Sequence, residues 1–299
     1  MFNGIYTAIV TPFTNDGESV DYESLENLIL HQLENKISGL VVCGSTGEAT
    51  TLTEDEYISV LTFAKEKVKD AKLSYNCKLI AGVGTNNTAF GVKLAKEVSL
   101  LNYDAVLVVA PPYNKPSQDG IYEHIKAIGK ASNTNVIGYN VPGRTVSDIL
   151  PKTVKRLADD KIIVGLKEAS GNFSKVNEVL SLCRNDIDIL LGEDAFILPS
   201  VLVGAKGGIS VVSNVFPKEM MEMFNLAFDL KNKNDLKSAN DIQYRLLPFI
   251  SLLFSETNPV PVKYALYKKG IIKDYSVRLP LLKALPKTRE ALDDYLNGF

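Results

Sequence analysis

The chain has 299 residues, of which 45% are hydrophobic and 23% charged, a balance that excludes a disordered or fibrous protein. A formal net charge of −2 and a pI near 5.9 offer no basic field, so neither nucleic acid nor a membrane surface is expected as a partner. No apolar run approaches transmembrane length and no basic-then-apolar leader pattern opens the chain, which makes a cytoplasmic location the default expectation.

Along the chain, short apolar runs rich in β-branched residues alternate with amphipathic helical patterns. The first run, 5–11, is followed by Asp21, a plausible N-cap ahead of Leu25, Leu28, Ile29 and Leu33 on one helical face. A second run at 39–43 precedes Thr53 and Glu56, which form a capping box before Tyr57, Val60, Leu61, Ala64 and Val68. Further runs fall at 78–83, 104–110, 136–140, 162–167, 188–191 and 208–212, and Pro217 suits the first turn of another helix. Near-continuous apolar strands separated by helices predict a parallel sheet buried on both faces. Residues 1–230 are therefore expected to form an α/β fold of the (β/α)8 TIM-barrel type, with 231–299 as a helical extension packed on it. A doubly wound open sheet is the competitor. It would usually carry a glycine-rich turn after the first strand, where this chain reads Thr11-Pro12-Phe13.

Cys43, Cys77 and Cys183 are widely spaced and form no CxxC pair, while His31 and His124 lack a second histidine at ligand spacing. A metal cluster, a disulfide framework and a Ser/His/Asp triad all lack material. In a barrel, reactive groups sit where strands end. Those positions hold Gly44-Ser45-Thr46-Gly47-Glu48, Pro111-Pro112-Tyr113-Asn114, Tyr139 through Arg144, and Lys167-Glu168.

Lys167 ends a run that should be buried, and burial disfavours the charged ammonium and frees the neutral amine as a nucleophile. Such an amine attacks a ketone to give an imine, an electron sink for carbon–carbon chemistry. A lysine snorkelling to solvent fits the position equally well. Tyr139, at the neighbouring strand end, offers a phenol for proton relay or simply an amphipathic ring. Gly44, Ser45 and Thr46 offer hydroxyls and backbone N–H groups to a carboxylate, or only an ordinary turn. Arg144 offers a bidentate clamp for a second carboxylate, or only a solvated charge.

Taken as an ordered set, these segments carry a resemblance. Ile9-Val10-Thr11-Pro12-Phe13, the Gly44–Glu48 turn, Tyr113-Asn114-Lys115-Pro116, Tyr139-Asn140-Val141-Pro142, the stretch from Gly165 to Asn172 and Glu256 to Lys263 all match. Over nearly its whole length, the chain resembles the dihydrodipicolinate synthase/N-acetylneuraminate lyase family. The resemblance implies a homotetramer built as a dimer of dimers, and an imine between Lys167 and pyruvate. It implies proton relay by Tyr139 with Ser45 and with Tyr113, the last reaching in from a neighbouring subunit. Ser45 and Thr46 would hold the pyruvate carboxylate, with Gly44 in the same turn, and the Ile209 carbonyl would line the pocket. No metal and no organic cofactor are implied, since the imine is itself the electron sink.

One departure is Ser45, where synthases of the family usually have threonine and lyases often have serine. Arg144 stands where the synthase branch binds the carboxylate of aspartate-4-semialdehyde. The implied activity is thus condensation of pyruvate with L-aspartate-4-semialdehyde to 4-hydroxy-tetrahydrodipicolinate, the first committed step towards diaminopimelate and lysine. The alternatives are N-acetylneuraminate lyase or another 2-keto acid aldolase, and, more remotely, a non-catalytic metabolite-binding relative. Ala49, Thr50, Glu54, Tyr57, Asn86, Phe90 and Pro112 match the family's lysine-effector site. Phe90 and Pro112 replace a glutamate and a tyrosine common in lysine-sensitive members, so weak or absent inhibition by lysine is expected.

Overall fold

Alternation within each apolar run decides which way its side chains face. In the computed structural model, which describes residues 1–298, those runs become eight parallel strands closed into one barrel in sequence order. They are β1 (Gly4–Ala8), β2 (Gly39–Val42), β3 (Lys78–Val83), β4 (Ala105–Val109), β5 (Asn135–Asn140), β6 (Gly165–Glu168), β7 (Asp188–Leu191) and β8 (Gly207–Ser210). Tyr6, Ala8, Val41, Ile80, Ala105, Leu107, Ile137, Tyr139, Leu190 and Ile209 point inward and form one buried cluster. Their strand neighbours, among them Ile5, Leu40, Leu79, Val106, Leu166 and Ile189, point outward into a second cluster shared with the helices. The interior is packed rather than open, as a barrel of this size requires.

Several strands are shorter than the runs that predict them. Beyond Ala8 the chain leaves the barrel rim: Ile9 N–H still donates to Val41 O at 3.1 Å, but Thr11 turns its hydroxyl to Gly47 O at 2.7 Å. Just after β8, 212–214 coils into a short 3-10 turn. Lys161, with φ of +55°, turns the chain so that β6 begins only at Gly165.

The helix starts are where the capping residues place them. Asp21 accepts from Ser24 N–H ahead of Tyr22–Glu34, and Thr53 and Glu56 complete a capping box on Glu54–Asp70. Each such cap contributes about 1 kcal/mol. Pro217 opens Pro217–Phe228. Val68, expected with the buried face of its helix, is only half-buried. After residue 231 come Lys233–Leu253, Val260–Lys268 and Pro286–Gly298; the last residue of the expected extension, Phe299, lies outside the described residues. Phe249 of this segment packs edge-on against Phe216 at 4.9 Å and stacks on Tyr295 at 5.2 Å. Among the described residues, no helix is long and apolar enough to cross a membrane.

Candidate active site

Where β5 and β6 end, register fixes the chemistry. Tyr139 pairs with Lys167, and the next pair along, Asn140 with Glu168, faces the other way. The outward pair is pinned: Asn140 Nδ2 donates to Glu168 Oε2 at 2.9 Å, and Glu168 Oε1 accepts from Ser170 N–H at 2.7 Å. Asn140 Oδ1 also accepts from Ile149 N–H at 2.9 Å, which fixes the chain beyond the Arg144 loop. With the outward side locked, Tyr139 and Lys167 are held facing the barrel interior. Both are buried, and the Lys167 amine lies 4.3 Å from the centroid of the Tyr139 ring.

Gly192, just past β7, makes room for the lysine. A Cβ there would stand 2.8 Å from Lys167 Cε and 2.6 Å from Ala169 Cβ. Next along, burial and the adjoining Asp194 carboxylate push the Glu193 carboxyl above its ordinary value, while Lys167 and Arg144 pull it back. Asp194 is fully buried and raised by that burial; its carboxylate accepts from the N–H groups of Val211 and Val212 at 3.0 and 3.3 Å.

A cavity of about 300 Å3 opens above the pair. Gly44, Ser45, Thr46, Tyr139, Arg144 and Lys167 all line it, so six of the residues expected from strand ends converge on one space. Thr46 is buried, and its Oγ1 accepts from Asn258 Nδ2 at 2.9 Å. Asn258 O in turn accepts from Arg144 at 3.1 Å. One asparagine thus couples the expected carboxylate turn to the guanidinium at the cavity mouth. Its Oδ1 is buried and has no partner among the described residues.

Two expected residues lie elsewhere. Ile209 is buried in the barrel interior on β8, and is not among the residues lining the cavity. Tyr113 is 86% exposed, held at φ of +71° with its N–H on Thr145 O at 3.1 Å, and does not reach the cavity of its own chain. Ser45 is exposed, and among the described residues its hydroxyl has no hydrogen bond to Tyr139. Asn258, Glu193 and Gly192 carry no role in the sequence reading. The two residues after β7 were open to the same strand-end rule that singles out Lys167.

The seven residues of the expected effector site also come together. Ala49, Thr50, Glu54, Tyr57, Asn86, Phe90 and Pro112 all line a second cavity of about 440 Å3. Ala49, Thr50 and Pro112 line both cavities, so the two share a wall.

Comparison with known proteins places the chain in a family and agrees with the barrel fold. The model of the dihydrodipicolinate synthetase family matches residues 1–298. The chain is 43% identical to a 4-hydroxy-tetrahydrodipicolinate synthase of Kosmotoga olearia, across 98% of this chain and 96% of the relative. It superposes on the dihydrodipicolinate synthase of Thermotoga maritima with a TM-score of 0.93 at 41% identity, covering 100% of this chain and 98% of that one. A monomeric dihydrodipicolinate synthase variant gives a TM-score of 0.92 at 41% identity, over 99% and 96% of the two chains.

Proposed function

The chain belongs to the dihydrodipicolinate synthetase family, and we propose that it condenses pyruvate with L-aspartate-4-semialdehyde to give 4-hydroxy-tetrahydrodipicolinate. The observation that carries the reading is the register pairing of buried Tyr139 and Lys167 beneath a cavity that Thr46 and Arg144 also line.

The Lys167 amine adds to the pyruvate ketone and water leaves, giving an imine. Loss of a methyl proton yields an enamine, whose carbon attacks the aldehyde of the second substrate. That substrate's own amine then adds to the imine carbon and expels the Lys167 amine, closing the ring. Ser45 and Thr46 hold the pyruvate carboxylate, and Tyr139 carries protons at the carbinolamine. Arg144 holds the second carboxylate, for which a sugar aldehyde would have no counterpart. Its tie to Asn258 O leaves further N–H donors facing the cavity.

The hydroxyl relay is completed by Tyr113 of a neighbouring copy in a homotetramer built as a dimer of dimers. The exposure of Tyr113 on a fixed turn supports this. A cytoplasmic location goes with the reading, and buried free thiols at Cys43, Cys77 and Cys183 suit a reducing compartment.

Borohydride reduction in the presence of pyruvate tests the chemistry. Wild-type protein should gain one reduced pyruvyl adduct, mapped to the peptide containing Lys167, and Lys167→Ala should gain none. An adduct that persists in that variant would move the nucleophile elsewhere. Turnover with aspartate-4-semialdehyde beside N-acetylmannosamine at equal concentration tests the acceptor.

A further inference from the structure

Glu48 ends the Gly44–Glu48 turn in a left-handed backbone conformation, φ of +51°, which a residue with a side chain seldom adopts without restraint. Its carboxylate is buried, and it forms an ion pair with Lys263, whose side chain is wholly buried as well. The Lys263 ammonium also donates to Ser276 O at 2.8 Å, and the second Glu48 oxygen accepts from Arg278 N–H at 3.0 Å. Arg278 then clamps Glu56 through two contacts at 2.6 Å, and donates to Thr51 O at 2.9 Å and Gly17 O at 2.7 Å. The ring of Phe13 lies 4.1 Å from the Lys263 ammonium and 4.4 Å from the Arg278 guanidinium.

Burying an ammonium and a carboxylate together is a poor route to stability, because desolvation consumes most of the Coulombic gain. What such a pair does supply is one geometry. Here that geometry belongs to the turn whose preceding residues, Ser45 and Thr46, face the cavity. Both cations come from the segment after residue 253, the same segment that places Asn258 on Thr46.

We propose that Glu48 and Lys263 are positioning residues: their buried ion pair fixes the left-handed turn, and so sets where Ser45 and Thr46 present donors to the pyruvate carboxylate. This rests on the pyruvate reading above. Neither residue touches substrate in this account; both act through the turn. Titration supplies a handle. Burial lowers Lys263 to about 8, with Arg278 adding to the fall, while Glu48 and Asp274 pull it up. Those three are the charged groups facing the ammonium. Above that pH the lysine loses its proton, and the pair ceases to hold the turn.

The test uses the full chain, with Glu48→Gln, Lys263→Met and the double variant, and reads KM for each substrate against pH. In Glu48→Gln at neutral pH, KM for pyruvate should rise roughly tenfold or more, while KM for aspartate-4-semialdehyde moves less than about threefold. Wild-type KM for pyruvate should climb above about pH 8, and that limb should be absent both in Glu48→Gln and once Lys263 is methionine, since neither variant has a pair to lose. If Lys263→Met alone fails to fold, with a lone buried carboxylate, Glu48→Gln and the double variant leave no unpaired acid and decide the matter. A folded Glu48→Gln with unchanged pyruvate KM and pH profile, or with both KM values moving together, overturns the proposal. Wild-type protein that forms no borohydride adduct with pyruvate overturns the functional reading itself, and this inference with it.

Discussion

Tyr139 and Lys167 are register partners on adjacent strands, and the lysine amine rests 4.3 Å from the centre of the tyrosine ring. The ring therefore has two separable jobs: it is a wall against which the amine lies, and it carries a hydroxyl. Tyr139→Phe keeps the wall and removes the hydroxyl. The expected result is a fall in kcat of about 10²- to 10⁴-fold, with slower pyruvate trapping but an intact fold. A variant that turns over at the wild-type rate would leave proton relay to some other group.

Arg144 stands at the cavity mouth, bonded to the Asn258 carbonyl and otherwise free to meet an anion. A charge-assisted contact to a carboxylate is worth about 1.5–3 kcal/mol. Arg144→Ala should therefore lower kcat/KM for the semialdehyde by roughly 10- to 150-fold, while single-turnover trapping of pyruvate changes little. Equal damage to both steps would show that the arginine supports the site as a whole.

The second cavity, about 440 Å3, has room for a small effector but little charge to hold an ammonium. Its one acidic lining residue, Glu54, already pairs with Lys93, and Phe90 offers only a ring. Lysine should bind with a Kd weaker than ~1 mM, read from inhibition of turnover. Half-inhibition at micromolar lysine would refute this.

His124 gives the fold an acid limit. Burial alone lowers its imidazole to about 4, with Nδ1 2.9 Å from Thr88 Oγ1 and Nε2 buried without a partner among the described residues. The folded state thus resists protonation while the unfolded chain accepts a proton near 6.5. Stability from this group is present above about pH 6.5, falls as pH drops, and is fully lost below about 4, a swing of about 3 kcal/mol. Urea unfolding from pH 7.5 to 4 should show that slope in wild type and a shallower one in His124→Leu.

The apolar runs made the strands legible because parallel strands buried on both faces are written as short, near-continuous apolar stretches, and the rule that barrels react at strand ends then pointed to Lys167, Tyr139, Thr46 and Arg144. Asn258 escaped for a physical reason. It is a lone polar residue in a loop, and its partner Thr46 lies more than two hundred positions away, so no periodicity marks it. Lys263 and Arg278 escaped likewise, since a buried cation in a C-terminal helix or loop has no local signature until its acid is seen beside it. Tyr113 differs: the family resemblance, not the pattern, gives it a role, and in one chain it points to solvent.

Gly192 offers the sharpest test of how closely the lysine is held. Its backbone is not in the left-handed region, so alanine carries no conformational penalty there, and the added methyl acts only through space. That space is taken, with Lys167 Cε at 2.8 Å and Ala169 Cβ at 2.6 Å from where the methyl would stand. Ala169 Cβ has no rotamer to move, so the backbone at 192 must shift slightly, and the flexible Lys167 stem is displaced as well. Overpacking of this kind costs about 1–3 kcal/mol, and Gly192→Ala should fold with a melting temperature lowered by only a few degrees. Moving a reacting nitrogen by about 1 Å, however, can cost on the order of 10²-fold in rate. The pyruvate adduct should therefore form far more slowly than in wild type, even at saturating pyruvate, although no reacting group has been removed. If trapping kinetics are unchanged, the Lys167 stem has slack, and its position is set by Tyr139 rather than by Gly192.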